Sequence, residues 1–284
     1  MSQIAAPVGA LQSYIDKWLA VQPQQRVALA FVDPRHFPGH VALAALEQEL
    51  LAAAYGIREP QVAAGKLNWW AEELAGAASS GGRHPLTQVL FDDERAHGLP
   101  RDVWLAPVLA AMTQLEQGTA ADFSAQMDAA TSLHGALAAL ETVWWFGEGA
   151  SSERASRHAT LAHLLHALRR LPDDTQRDRL PLSMARLARY GLSRDELREP
   201  GAARDQAIKA QLADLLAAWR EAAVLPGSLS VFRALESRQD VALARRATRA
   251  ADALLALQKG MPHGSLATTW AAWKAARAWR RHAG

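Results

Sequence analysis

Cysteine is absent from all 284 residues, which excludes disulfides and thiolate metal sites. Runs of β-branched residues and period-two alternation are scarce, so little in the chain asks for a sheet. No stretch offers about 18 uncharged apolar residues for a membrane span. The opening "MSQIAAPVGALQSYIDKW" lacks the basic-then-apolar order of a secretion signal. These absences point to a cytoplasmic protein and leave room for peripheral membrane contact. An excess of one charge is also missing: 31 Lys and Arg face 29 Asp and Glu, a formal net charge of +2. Without a dense basic footprint, nucleic acid is not an expected partner.

What is present is helical. Half of the residues are hydrophobic, Ala and Leu dominate, and apolar positions recur at helical spacing between short Gly/Pro breaks. The spacing predicts helices over 11–21, 27–31, 41–55, 61–78, 86–95, 104–117, 121–147, 153–171, 183–190, 202–224, 229–258 and 266–281. Gly135 sits inside the longest early run and marks either a break or a close helix approach. No fixed-period repeat and no linker of shifted composition appears, so one all-α domain over 1–284 is expected.

Several clusters could carry chemistry. In "HATLAHLLHALRRLPDD", His163 and His166 lie three apart and share a helix face, where with a distant carboxylate they could hold a metal. No HExxH pattern accompanies them, and such a pair more often serves structure. Asp173 and Asp174 follow Pro172 and read either as a cap or as half of a hard-cation site, because magnesium needs more oxygens than two adjacent acids supply. "DDE" at Asp92 to Glu94 is more simply a polar helix terminus. In "KLNWWAEEL" the adjacent Trp69 and Trp70 point about 100° apart on a helix; Trp144 and Trp145 in "TVWWFG" do the same. Such rings could wall a site for a long apolar ligand, with Lys66 meeting its anionic head, although core packing suits most of them.

Taken in order, "KLNWWAEEL", "RHPL", "HGALAALE" and "ALRRLPDDTQRDRLPLSMARLARYGLSRDEL" resemble the squalene/phytoene synthase family over most of the chain. The resemblance implies an isoprenoid-synthase-type helical bundle around a deep apolar cavity. It also implies magnesium held between two aspartate-rich helices, and head-to-head joining of prenyl diphosphates. Members show an Asn-x-x-Arg-Asp-x-x-x-Asp helix end, then Arg and a Leu-Pro turn. Here Arg169 keeps the arginine and Asp174 the last aspartate, but His166 stands at the asparagine and Arg170 at the first aspartate. Asp173 stands at the usual glutamate. In the first motif, Leu51 and Tyr55 stand at the two aspartates, and the nearest acids are Glu47 and Glu49. "ALEQEL…REP…KLNWWAEEL…HPL" is similar in particular to the divergent branch that includes the mitochondrial complex I assembly factor and its bacterial relatives.

The resulting expectation is a family member with lost or weak prenyl transfer that binds an apolar ligand, a prenyl diphosphate or a protein partner. Lys66, Trp69, Trp70 and Arg169 are its expected ligand-binding residues, and no cofactor is expected. The alternative is an active magnesium-dependent prenyltransferase using Asp173, Asp174 and displaced glutamates. A third reading, a scaffold without a small-molecule ligand, requires a cavity filled by the protein's own side chains. The wild-type Arg170 guanidinium is expected beside Asp173 or Asp174.

Overall fold

The computed structural model describes residues 8–176, 179–262 and 264–282. The first seven residues of the N-terminal stretch bearing on a secretion signal therefore lie outside the described residues. The helices are α1 (Val8–Val21), α2 (Gln25–Ala28), α3 (Pro38–Leu51), α4 (Pro60–Ser80), α5 (Pro85–Phe91), α6 (Glu94–Gly98), α7 (Arg101–Gln114) and α8 (Phe123–Phe146). There follow α9 (Glu153–Arg169), α10 (Leu171–Gln176), α11 (Met184–Arg189), α12 (Ala202–Ala222), α13 (Val231–Arg249), α14 (Ala253–Lys259) and α15 (Leu266–His282). A five-residue π-helical turn, Ala52–Gly56, continues α3. The described residues contain no strand, as expected for an all-α bundle.

Differences from the expected spans have local causes. The segment 86–95 divides because the Asp93 side chain accepts from the Arg95 N–H and starts α6 anew. The segment 229–258 divides likewise: Asp252 accepts from the Leu255 N–H and begins α14. Pro172 opens a short helix after Arg170 instead of extending α9. Gly135 does not break α8. A Cβ there would lie 2.9 Å from Ser156 Oγ of α9, and Ala138, Ala155 and Ala159 pack together in the same contact. Small residues let α8 and α9 approach closely.

Two apolar clusters fill the bundle. One gathers residues of α1, α3, α4, α5, α7 and α15; the other joins α9, α12 and α14. Helices α8 and α13 run through both. On α8, Met127 and Ala130 belong to the second cluster, while Leu133 to Trp145 belong to the first. On α13, Val231 to Leu235 enter the first and Leu243 to Ala247 the second. Where each helix passes from one cluster to the other, polar residues face inward: His134 on α8, and Glu236, Ser237 and Asp240 on α13. Burying them is costly unless they pair, and how they pair defines the site.

Candidate functional site

The first wall of this polar seam is the end of α3. The π turn widens the backbone there, and the carbonyls of Ala54 and Tyr55 lie at its end. The Arg179 guanidinium reaches both, Nη1 donating to the Tyr55 carbonyl at 2.6 Å and Nη2 to that of Ala54 at 3.5 Å. Tyr55 is thereby fixed against the facing helices. Its ring stacks on His163 at 4.6 Å, and His163 stacks on His134 at 4.2 Å. The Tyr55 hydroxyl lies 3.3 Å from His134 Nε2.

The group is held neutral. Burial lowers the His163 pKa to about 3, helped by the positive charge of Arg170. Burial, then His163 and Arg233, holds His134 well below its ordinary value. Burial pushes the Tyr55 phenol up against the pull of Arg170 and Arg179.

The second wall is built around Arg233. Its Nε donates to Glu141 Oε2 at 2.8 Å, and its Nη2 to both oxygens of Glu47 at 3.0 Å. Nη1 lies 3.6 Å from Glu236 Oε2. Ser230 Oγ completes the Glu141 carboxylate. Burial opposes charge on this guanidinium, but Glu141, Glu47 and Glu236 together raise its pKa. Glu236 is pushed up to about 7 by burial and by neighbouring Asp240, against Arg233. One helical turn on, His166 Nε2 lies 3.2 Å from Asp240 Oδ1. Burial opposes charge on His166, but Asp240 outweighs it and raises the pKa.

The histidine pair of α9 is thus divided: His163 joins the aromatic stack and His166 the acids of α13. Glu141, Arg233, Glu236 and Asp240 escaped the sequence reading. A signal for them existed, since Arg233, Glu236 and Asp240 fall at i, i+3 and i+7, a charged stripe on one face of an otherwise packed helix.

Arg170, at the first-aspartate position, lies with Nε 3.6 Å from Asp174 Oδ2. Its guanidinium therefore sits beside a surviving acid, where an octahedral oxygen shell would need room for a cation. With Leu51 and Tyr55 opposite, the residues present do not fit the magnesium cluster that the two acidic motifs imply. Asp173 and Asp174 do not converge either. Asp174 lines a cleft of about 180 Å³, whereas Asp173 lines a wider groove of about 540 Å³ with Arg169 and Lys259.

A second central cleft, of about 260 Å³, is lined by Leu51, Tyr55, His163, Arg170, Arg233 and Glu236 among others. Tyr55, His163 and Arg170 line both this cleft and the 180 Å³ one, so they stand between the two. Each is smaller than ordinary ligand pockets of about 300–1,000 Å³, and both carry charged groups. Between the two clefts stand the Tyr55–His163–His134 stack and, beside it, the ion pairs of Arg233.

The remaining expected ligand residues lie elsewhere. Lys66 donates to Glu49 at 3.0 Å. Trp70 is 1% exposed and Trp69 40% exposed, and both rings pack on His84. Lys66, Trp69 and Trp70 line neither central cleft; their partners are Glu49 on α3 and His84 at the start of α5. Arg169 is in the open groove, in no common cleft with Lys66. Trp144 and Trp145 are both core residues.

The squalene/phytoene synthase family profile matches residues 26–250. A squalene synthase from Alicyclobacillus acidocaldarius superposes with a TM-score of 0.57 at 15% identity, covering 88% of this chain and 93% of that one. A ligand-bound dehydrosqualene synthase gives 0.61 at 11% identity, covering 98% and 99%. At these identities the likeness is one of fold. No curated protein sequence is a significant match.

Proposed function

The chain belongs to the squalene/phytoene synthase family, and from that premise we propose that this member has given up head-to-head prenyl transfer and works by binding. The observation that carries the reading is the Arg170–Asp174 ion pair facing a Tyr55 locked in an aromatic stack. Ionising a prenyl diphosphate requires positive charge concentrated on the leaving group and an apolar chamber that keeps water from the carbocation. In support of the reading, Arg170 is paired with an acid where a metal ligand is expected, and the aromatic stack stands between the two central clefts. The ligand is an apolar or anionic-headed molecule at the Arg169-bearing groove, or a protein partner as in an assembly role. Calorimetric titration of magnesium with inorganic diphosphate tests the claim. Heat without stoichiometric, cooperative uptake of the two supports it; formation of a multi-magnesium diphosphate complex contradicts it.

Peripheral membrane contact has its own support. Among the described residues no helix is long and apolar enough to cross a membrane. Helix α15, however, exposes Leu266, Trp270 at 60% and Trp273, the two rings stacked at 4.7 Å. Arg277 lies over Trp273, Lys274 and Arg281 are exposed beside them, and the helix contains no acid. Tryptophan beside basic residues suits the interface of an anionic bilayer. Vesicles containing phosphatidylglycerol should co-sediment with the wild type but not with a Trp270→Ala, Trp273→Ala variant. Equal sedimentation of the two would remove this part of the proposal.

A further inference from the structure

We infer that His166, Glu236 and Asp240 form a site for one divalent transition-metal ion of the zinc class. One ligand atom from each lies within 4.8 Å of the other two. Ligands on a tetrahedral zinc with bonds of about 2.0 Å stand roughly 3.3 Å apart, so small side-chain rotations close the set. His166 comes from α9, and both acids come from successive turns of α13 at i and i+4, hence on one face.

Three features beyond proximity point to a cation. First, Asp240 is 5% exposed, and its Oδ2 is buried with no hydrogen-bond partner among the described residues. An orphaned carboxylate oxygen at such depth carries a full desolvation cost, and the His166 contact satisfies only Oδ1. Second, three acids gather on a single guanidinium. Glu47, Glu141 and Glu236 share Arg233, leaving His166 as the partner of Asp240. Of the three acids on Arg233, Glu236 makes the longest contact, 3.6 Å against 3.0 and 2.8 Å, and is the one most easily turned to another cation. Third, the site is reachable. His166 and Glu236 line the 260 Å³ cleft, and His166 and Asp240 line the wider groove.

The donor set fixes the class of ion. An imidazole with two carboxylates suits zinc, manganese or iron, whereas magnesium prefers an all-oxygen shell. Three protein ligands leave a fourth position for water or an anionic ligand atom. This site uses one position of the diverged motif, His166, and two residues of α13 outside both motifs. It does not depend on the loss of prenyl transfer. An ion pair between His166 and Asp240, with Glu236 left on Arg233, is the competing account, but it leaves Asp240 Oδ2 unexplained.

The test is titration of the chelator-treated full chain with zinc and, separately, magnesium, with cobalt as an optical probe. The expected result is one zinc per chain, far weaker magnesium binding, and a visible cobalt spectrum of low coordination number. Asp240→Asn and Glu236→Gln should each weaken zinc by more than about 100-fold, beyond the usual effect of losing a merely supporting partner. His166→Gln should abolish the cobalt bands, and it carries the test with Glu236→Gln if Asp240→Asn does not fold. No stoichiometric zinc uptake, zinc affinity unchanged in the variants, or a preference for magnesium would each overturn the inference and leave an ion pair only.

Discussion

Arg170 shows how much one position can decide. An aspartate there would add oxygen ligands beside Asp174; the arginine brings a positive charge to the same place. Arg170→Asp should therefore raise magnesium affinity measurably by calorimetry without restoring prenyl transfer, because Leu51 and Tyr55 still form the facing wall. Robust product from this single variant would show that the first wall was never limiting. His163 makes a second residue-scale case. Its folded pKa, about 3, lies below the ordinary 6.5 through burial and the nearby charges of Arg170, His166 and Arg179. The unfolded chain then binds the extra proton first. The stabilisation is full above about pH 6.5 and drains as pH falls toward 3. His163→Phe keeps the stack and removes that titration, so its stability should depend less steeply on pH over this window in urea melts. An unchanged slope would place the acid sensitivity elsewhere.

At the scale of elements, the "KLNWWAEEL" helix has a structural task that its sequence conceals. Glu73 is buried on α4 and accepts from the N–H groups of Arg83 and His84, from Thr87 Oγ1 and from Arg83 Nε. Burial would raise its pKa, but these donors win and bring it down from 4.5 to about 2. Glu73 thus fixes the loop that starts α5, which in turn packs on α3. Its contribution is full above about pH 4.5 and lost as pH falls through about 2. Glu73→Gln should cost about 2–3 kcal/mol, measured by urea unfolding at neutral pH. A change under 0.5 kcal/mol would show that the loop is held by other contacts. Nothing in the spacing marked Glu73 as different from Glu72, because its partners come from the loop after the helix and from the first turn of α5.

For the whole molecule, apolar periodicity was enough to place most helices, since it reports one buried face at a time. The divided segments 86–95 and 229–258 were not legible, because an internal aspartate cap can restart a helix without interrupting that pattern. The diverged positions Leu51, Tyr55 and Arg170 could be read from the ordered motifs, and the structure shows what their replacement builds. The polar seam could not be read, because it joins α3, α8, α9 and α13 across up to 186 residues of sequence. Its acids look like ordinary helix-surface charges until tertiary packing buries them. Trp69 and Trp70 line neither central cleft, and adjacent aromatics report burial, not which cavity they face.

The proposed loss of prenyl transfer rests on the packed, charged seam through which the two apolar halves meet. Incubating the purified chain with farnesyl or geranylgeranyl diphosphate and magnesium, and following both diphosphate release and hydrocarbon product, tests it most directly. Neither should exceed the enzyme-free control. Strong magnesium-dependent formation of a head-to-head product would contradict the account and would mean that acids outside the two expected motifs assemble the metal site.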